Sequence, residues 1–204
     1  MDRDFGQEDD GMTAGMLRYT IFDTCWGCFG LACTGEQVRR TILPMPDAAT
    51  VRTALLAGLD EPSSQNLVFE RDLAHSLQQR IVAYFEGDNT DFSTDPAVDL
   101  GSLGPFSQAI LTACRQIPIG RTQTYAALAR SVGRPHGARA VGNALATNPM
   151  PLIVPCHRVL RTDGGLGGFS APGGMVTKQK MLLHEQSMCP WRAQNTSCGR
   201  LWAH

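Results

Sequence analysis

Nowhere in this chain do about 18 apolar residues run consecutively, the length a membrane-spanning helix needs, so no membrane association is expected. The run Met1-Asp2-Arg3-Asp4-Phe5-Gly6-Gln7-Glu8-Asp9-Asp10 lacks the basic and apolar regions of a secretory leader, which points to an intracellular protein. Internal repeats and low-complexity tracts are also missing, which sets aside solenoid and fibrous architectures. Seven cysteines is an odd number, so intramolecular disulfides cannot use every thiol, and a reducing compartment would keep a reactive one available. The most telling absence is regional. Residues 104–162 contain no Asp or Glu but seven arginines (Arg115, Arg121, Arg130, Arg134, Arg139, Arg158 and Arg161), so with an overall charge of −1 the rest of the chain stands at −8. A basic block inside an otherwise acidic protein suits a polyanion. A few solvated arginines on helix surfaces would produce the same count.

With 204 residues, 43% of them hydrophobic and 18% charged, the chain can bury one large core or two small ones. Residues 1–16 have no apolar periodicity and are expected to be a disordered acidic tail. Leu17 to Leu43 alternates in strand-forming residues with turns at Gly27 and Thr34-Gly35, which predicts a small antiparallel sheet. Leu67, Leu73, Leu77, Ile81 and Phe85 share a helical stripe, closing an N-terminal domain over 17–86. The Gly, Asp, Asn, Ser, Thr and Pro of 87–103 read as a linker. A second domain, 104–188, follows and leads to a tail at 189–204.

Within that second domain Pro105–Ile117 reads as a helix with Phe106, Ile110 and Ala113 inward, and Pro118 halts it. Thr124–Val132 is a second helix ended by Gly133, and Pro135 starts a third that runs to about Thr147. Two short helices about a glycine turn suggest a helix-turn-helix. Arg158-Val159-Leu160-Arg161 reads as a strand, Thr162–Gly168 as a glycine-rich hairpin and Met175–Gln186 as a closing helix. The fold class expected is α/β: a small N-terminal antiparallel sheet with a helix, joined to a mostly helical C-terminal domain that carries the helix-turn-helix and an active-site cysteine.

That cysteine is Cys156, set in Asn148-Pro149-Met150-Pro151-Leu152-Ile153-Val154-Pro155-Cys156-His157-Arg158-Val159. A proline-stiffened segment holds it beside a histidine and an arginine, and the thiolate, favoured by positive charge or hydrogen-bond donors, is the nucleophilic form. Upstream, Gly137 and Gly142 lie in the small-residue third helix, where each costs on the order of 1 kcal/mol relative to Ala. Close approach to another backbone would select them. Tight packing on a neighbouring helix is one possibility, and pressing into a DNA groove with Arg139 reaching inward is the other.

Thr124-Tyr125, Ala138-Arg139-Ala140-Val141-Gly142, Asn148-Pro149, Pro155-Cys156-His157-Arg158-Val159 and Leu182-Leu183-His184-Glu185 resemble, in order and approximate spacing, the O6-alkylguanine-DNA alkyltransferase family. The resemblance is strong from about Gly104 to Gln186 and weak before it. It implies repair of DNA by irreversible, single-turnover transfer of an alkyl group from O6 of guanine, less readily from O4 of thymine, onto Cys156, with no cofactor. It implies that Glu185 orients His157, which withdraws the thiol proton through a water. Asn148 would brace the cysteine turn, and Tyr125 would polarise the departing purine. The second helix of the helix-turn-helix would enter the minor groove of double-stranded DNA, with Thr124, Ala138, Gly142 and Leu145 at the DNA and Arg139 filling the space of the extruded nucleotide. Pro151, Val154, Pro155, Val159, Phe169 and Ser170 would form the base pocket, Phe169 replacing a tyrosine found in some members. A monomer is expected.

Cys25, Cys28 and Cys33 lie close together, but a strand would point Cys25 and Cys28 to opposite faces and no fourth ligand accompanies them, so no metal site is expected. Three other functions compete with alkyl transfer for this sequence. A damage sensor of the same family would replace the cysteine; a methylation-switched regulator would need a second DNA-reading domain; a cysteine hydrolase would need a distant histidine and an oxyanion site, and would turn over.

Overall fold

The computed structural model describes residues 16–57 and 67–188, so the expected tails at 1–16 (Met16 excepted) and 189–204 lie outside the described residues. Three consecutive strands, β1 (Leu17–Thr24), β2 (Gly27–Thr34) and β3 (Gln37–Met45), form the expected antiparallel meander, with Leu17 opposite Thr34 and Thr20 opposite Leu31. Gly27 makes the first turn possible: its φ is +123°, and a Cβ there would lie 2.5 Å from the Met45 carbonyl oxygen. Alternation along β2 sends Phe29, Leu31 and Cys33 to one core and Ala32 to the other.

Two features of this half depart from the sequence reading. Helix α1 (Ala48–Leu56) was not anticipated, although Asp47 caps it by accepting from Thr50 N at 2.8 Å, and its Val51 and Leu55 cover the far face of the sheet. Leu67 does not begin a helix. Leu67–Phe69 forms β4, which pairs parallel with β1, so the four-stranded sheet is mixed, in the order β3-β2-β1-β4. The open edge of β1 offers backbone partners that apolar spacing alone does not reveal. The helix proper is α2 (His75–Glu86), which keeps the expected stripe of Leu77, Ile81 and Phe85 and adds Tyr84; Leu73 is buried in the preceding turn.

Segment 87–103 packs along β3 without forming helix or multi-residue strand. Val38 exchanges hydrogen bonds with Ala97 and Asp99 at 2.9 Å each, Arg39 pairs with Asp99 at 2.5 Å, and Phe92 is buried. The main apolar cluster therefore runs through both halves, from Phe29 to Met181.

The C-terminal half consists of α3 (Pro105–Arg115), α4 (Tyr125–Ser131), α5 (Ala138–Ala146) and α6 (Gly174–Met188), with a two-strand parallel pair of β5 (Gln123–Thr124) and β6 (Val159–Leu160). Thr124 caps α4 by accepting from Ala127 N at 3.1 Å. Helix α5 starts three residues later than Pro135 suggested, because Arg134–Gly137 closes a turn first, Gly137 N donating to Arg134 O at 2.8 Å. Gly137 is thus a cap and not an interior helical glycine. Cys156–Arg158 forms one 3₁₀ turn, leaving a two-residue strand where four were expected. The Thr162–Gly168 hairpin is a tight turn closed by Arg161 N donating to Gly165 O, with an irregular loop after it. No helix among the described residues is long and apolar enough to cross a membrane.

Candidate active site

The cysteine turn leaves α5 at Ala146 and folds back on itself before the 3₁₀ turn. Leu152 adopts φ +80°, a left-handed conformation that costs a non-glycine residue about 1–3 kcal/mol. Asn148 supplies the bracing: its Nδ2 donates to Val154 O at 2.9 Å and to Cys156 Sγ at 3.2 Å, and its Oδ1 accepts from Met150 N at 3.0 Å. Strand β3 braces the turn from the other side, Thr41 N donating to Pro149 O at 3.0 Å and Thr41 Oγ1 to Pro151 O at 2.7 Å. The role of Thr41 had no sequence signal, since the contact joins residues about a hundred positions apart.

Cys156 is 7% exposed. Burial pushes its thiol above the ordinary value, and the Asn148 hydrogen bond pulls in the opposite direction. The resting thiol is therefore protonated and needs a base. His157 follows it, fully buried, with Nε2 at 2.7 Å from Glu185 Oε1. A carboxylate can only accept, so Nε2 carries the proton and Nδ1 keeps a lone pair. That Nδ1 is buried and has no hydrogen-bond partner among the described residues. Burial lowers the His157 pKa against the opposing pull of Glu185, so the imidazole is neutral and able to accept.

Glu185 is 1% exposed. Burial works against its ionisation, but His157 and Arg158 together hold the carboxyl well below its usual range. Arg158 grips it with Nε at 2.9 Å from Oε2 and Nη2 at 2.8 Å from Oε1, and donates Nη1 to Ile117 O at 2.5 Å. Gly120 N and the Tyr84 hydroxyl add donors at 3.2 and 2.9 Å. The family resemblance names Glu185 and His157 and assigns no contact with the carboxylate to Arg158, Gly120 or Tyr84. It also missed Lys178, which is fully buried with Nζ 2.7 Å from Val159 O and 5.7 Å from the Tyr125 ring centroid. Burial lowers the Lys178 ammonium to about 8. A signal existed, because Lys178 lies seven residues before Glu185, two turns along the same helix face.

The thiol opens onto a pocket of about 500 Å³ lined by Tyr125, Ala138, Arg139, Gly142, Asn143, Leu145, Ala146, Cys156, Gly168, Phe169 and Ser170. Tyr125, Cys156, four of the five expected DNA-contacting residues and two of the six expected pocket residues thus share one cavity. Thr124 does not line it; its hydroxyl caps α4. Val154, Pro155 and Val159 are buried and do not line it, and the Val159 carbonyl accepts from Lys178 Nζ. Pro151 lines a second, smaller cleft of about 240 Å³ that also reaches Cys156, beside Asn148 and Ser170. Tyr125 is fixed by the loop facing it, since a Cβ on Gly167 (φ +70°) would fall 2.7 Å from its hydroxyl oxygen. Gly142 is different: a Cβ there would meet only the Tyr125 ring at 3.9 Å, so nothing among the described residues demands glycine.

The N-terminal cysteines do not converge. Cys25 donates to Phe85 O and Cys28 to Asp23, while burial raises the Cys33 thiol to about 12. No group of three metal-ligating side chains is assembled among the described residues.

Residues 105–187 match the family model described as 6-O-methylguanine DNA methyltransferase, DNA binding domain. A methylated-DNA–protein-cysteine methyltransferase of Mycolicibacterium paratuberculosis is 38% identical over 175 residues, 86% of this chain and 96% of the relative. The Shigella flexneri protein of the same name is 38% identical over 109 residues, which span 53% of this chain and 61% of the relative. Among solved structures, Mycobacterium tuberculosis OGT in complex with DNA superposes with a TM-score of 0.67 at 29% identity, covering 85% of this chain and 95% of that one. An O6-methylguanine-DNA methyltransferase from the archaeon Pyrococcus kodakaraensis gives 0.60 at 26% identity, with 83% and 99% covered.

Proposed function

The chain belongs to the family of methylated-DNA–protein-cysteine methyltransferases, and from that premise we propose that it repairs DNA by moving the alkyl group of O6-alkylguanine onto Cys156. O4-alkylthymine is the poorer substrate. The observation that carries this reading is the position of Cys156 Sγ, at the floor of a cavity walled by Arg139 and Tyr125, with the buried His157–Glu185 pair behind it.

Transfer begins when the thiol proton passes through a bridging water to the open Nδ1 of His157, whose imidazolium Glu185 stabilises. The thiolate then attacks the alkyl carbon. A sulfur–carbon bond forms, the carbon–O6 bond breaks, and its electron pair leaves with the purine, which takes up a proton as it departs. Tyr125, kept protonated by burial, donates to that purine. A thioether is a poor leaving group, so each molecule reacts once and needs no cofactor.

The target nucleotide must leave the stack, at a cost of a few kcal/mol that is smaller for a damaged pair. In this reading helix α5 acts as the second helix of a helix-turn-helix and enters the minor groove, where Ala138, Gly142 and Leu145 let the backbone approach closely and Arg139 fills the vacated space. Little sequence information is available in that groove, which suits lesion detection. Of the seven arginines, the exposed Arg121, Arg130, Arg134 and Arg139 then neutralise phosphates, whereas Arg115 and Arg158 are buried on backbone carbonyls and on Glu185, which corrects the reading of the block as one basic face. The protein acts as a monomer inside the cell, where reducing conditions preserve the thiol.

The test is incubation with a duplex bearing one O6-methylguanine, followed by intact-protein and peptide mass spectrometry. One methyl gained per protein, confined to the peptide of Cys156, is the expected result. Tight lesion binding by unmodified protein would establish a sensor instead.

A further inference from the structure

Glu185 Oε1 is contested. It lies 2.7 Å from His157 Nε2, 2.8 Å from Arg158 Nη2 and 2.9 Å from the Tyr84 hydroxyl. Arg158 Nε adds a longer contact at 3.1 Å; a carboxylate oxygen has two lone pairs, so donors from three side chains on one oxygen must share its charge. Two of them come from the cysteine segment itself. Tyr84 comes from α2, in the N-terminal half, a hundred residues away in sequence.

The placement of Tyr84 is rigid. It is fully buried, its ring meets Phe85 edge-on at 5.1 Å and His184 at 5.5 Å, and its carbonyl lies 2.7 Å from His184 Nε2. Burial and the neighbouring carboxylate keep the phenol protonated, so it can only donate to Glu185. Packing alone would be served equally well by phenylalanine, as at Phe85.

We propose that Tyr84 is a positioning residue for alkyl transfer: its hydroxyl fixes Glu185 Oε1 and limits the negative charge which that oxygen presents to His157. This rests on the reading of His157 as the base. Charged and titratable groups around the pair are Arg158 and Cys156 on the same segment, Lys178 on α6, Cys114 on α3, His184 beside Tyr84, and Asp91 of the 87–103 segment, which interacts electrostatically with Arg158. Tyr84→Phe leaves all of these in place and removes one donor. His157 then receives a larger share of the carboxylate charge, and its proton affinity rises. Replacing Tyr84 site-specifically with 3-fluorotyrosine strengthens the donor without altering shape appreciably, and has the opposite effect.

Full-length wild type, Tyr84→Phe and the 3-fluorotyrosine protein are compared by two measurements. One is the pH profile of single-turnover methyl transfer from a duplex O6-methylguanine. The other is the proton resonance of His157 Nε2. The acid limb of the profile is expected to move up by about half a pH unit in Tyr84→Phe and down with 3-fluorotyrosine. The Nε2 proton should move downfield in the first and upfield in the second, with DNA affinity unchanged in both. An unshifted limb and an unshifted resonance in the fluorinated protein overturn the proposal, even if the phenylalanine variant folds poorly. If wild type transfers no methyl group, the functional reading fails, while the His157 resonance still decides whether Tyr84 tunes the pair.

Discussion

The two sides of Cys156 are built on opposite principles. Behind it, His157, Arg158 and Glu185 are sealed from solvent, and each carboxylate oxygen is held by several donors. In front, the pocket is lined by small residues, the exposed guanidinium of Arg139 and the half-buried ring of Tyr125. The rear is finished within the chain itself. At the front, a Cβ on Gly142 would meet only the Tyr125 ring at 3.9 Å, which leaves room on that face among the described residues. Chemistry needs a fixed, dry base, whereas recognition needs a surface whose contacts are supplied by DNA, so changes behind the sulfur should affect reaction and stability together. Changes in front should affect reaction on DNA alone.

The largest effect expected is from Cys156→Ser, which removes the thiolate while leaving both sides intact. Methyl transfer should fall by at least three orders of magnitude, as weak nucleophiles do without activation, while fluorescence anisotropy shows unchanged binding to lesion duplex. Residual stoichiometric methylation elsewhere in the chain would displace Cys156 from its role.

Glu185→Gln tests the sealed side. It strands the buried Arg158 without its counter-charge, which costs about 3–5 kcal/mol, and it should slow transfer by on the order of 100-fold or more through loss of the oriented base. Urea unfolding and single-turnover kinetics measure the two losses; a variant as stable as wild type contradicts the picture of a charge-compensated core.

The same side predicts a pH dependence of stability. His157 has a folded pKa below its ordinary 6.5, so the unfolded chain binds the extra proton and stability is lost as pH falls below about 6.5. Glu185 is also depressed, from an ordinary 4.5, and its contribution is lost on further acidification below that value. Urea midpoints at neutral pH, pH 5.5 and pH 4 should therefore fall in two stages, and the lower stage should shrink in Glu185→Gln.

On the open side, Arg139→Ala should slow repair in duplex DNA by roughly 100-fold, the worth of a few kcal/mol of nucleotide extrusion. Reaction with a free O6-alkylguanine base should change little. Equal losses on both substrates would remove Arg139 from extrusion. The smallest effect sharpens the contrast most: Gly142→Ala should stabilise α5 by about 0.5–1 kcal/mol and yet weaken lesion-duplex binding several-fold. Improved stability with unaltered DNA affinity would mean that α5 does not lie against the nucleic acid.

Much of the candidate site was legible because its members sit in short, dense strings. Asn148, Cys156 and His157 lie within ten positions, and Ala138, Arg139, Gly142 and Leu145 fall on one helix at spacings that share a face. Asn148 Nδ2 lies 3.2 Å from Cys156 Sγ. Less legible were elements defined by pairing: β4 and the β5–β6 pair are two or three residues each and exist because another strand's edge accepts them. Thr124 uses its hydroxyl to cap α4, and Val154, Pro155 and Val159 are buried and do not line the cavity at Cys156. Strings show which residues are near in the chain, not which way they face once the turn at Leu152 has reversed it.

By itself the sequence determined that a thiol stands on a stiffened turn after a small, arginine-bearing helix, since local backbone preferences and residue spacing act over a few positions. Tertiary structure alone decided that the carboxylate behind the base is shared with Arg158, Gly120 and Tyr84, and that β3 props the cysteine turn through Thr41. Those contacts span 27 to 110 positions. A buried polar atom takes whichever partner packing delivers within about 3 Å, and packing is a property of the whole fold.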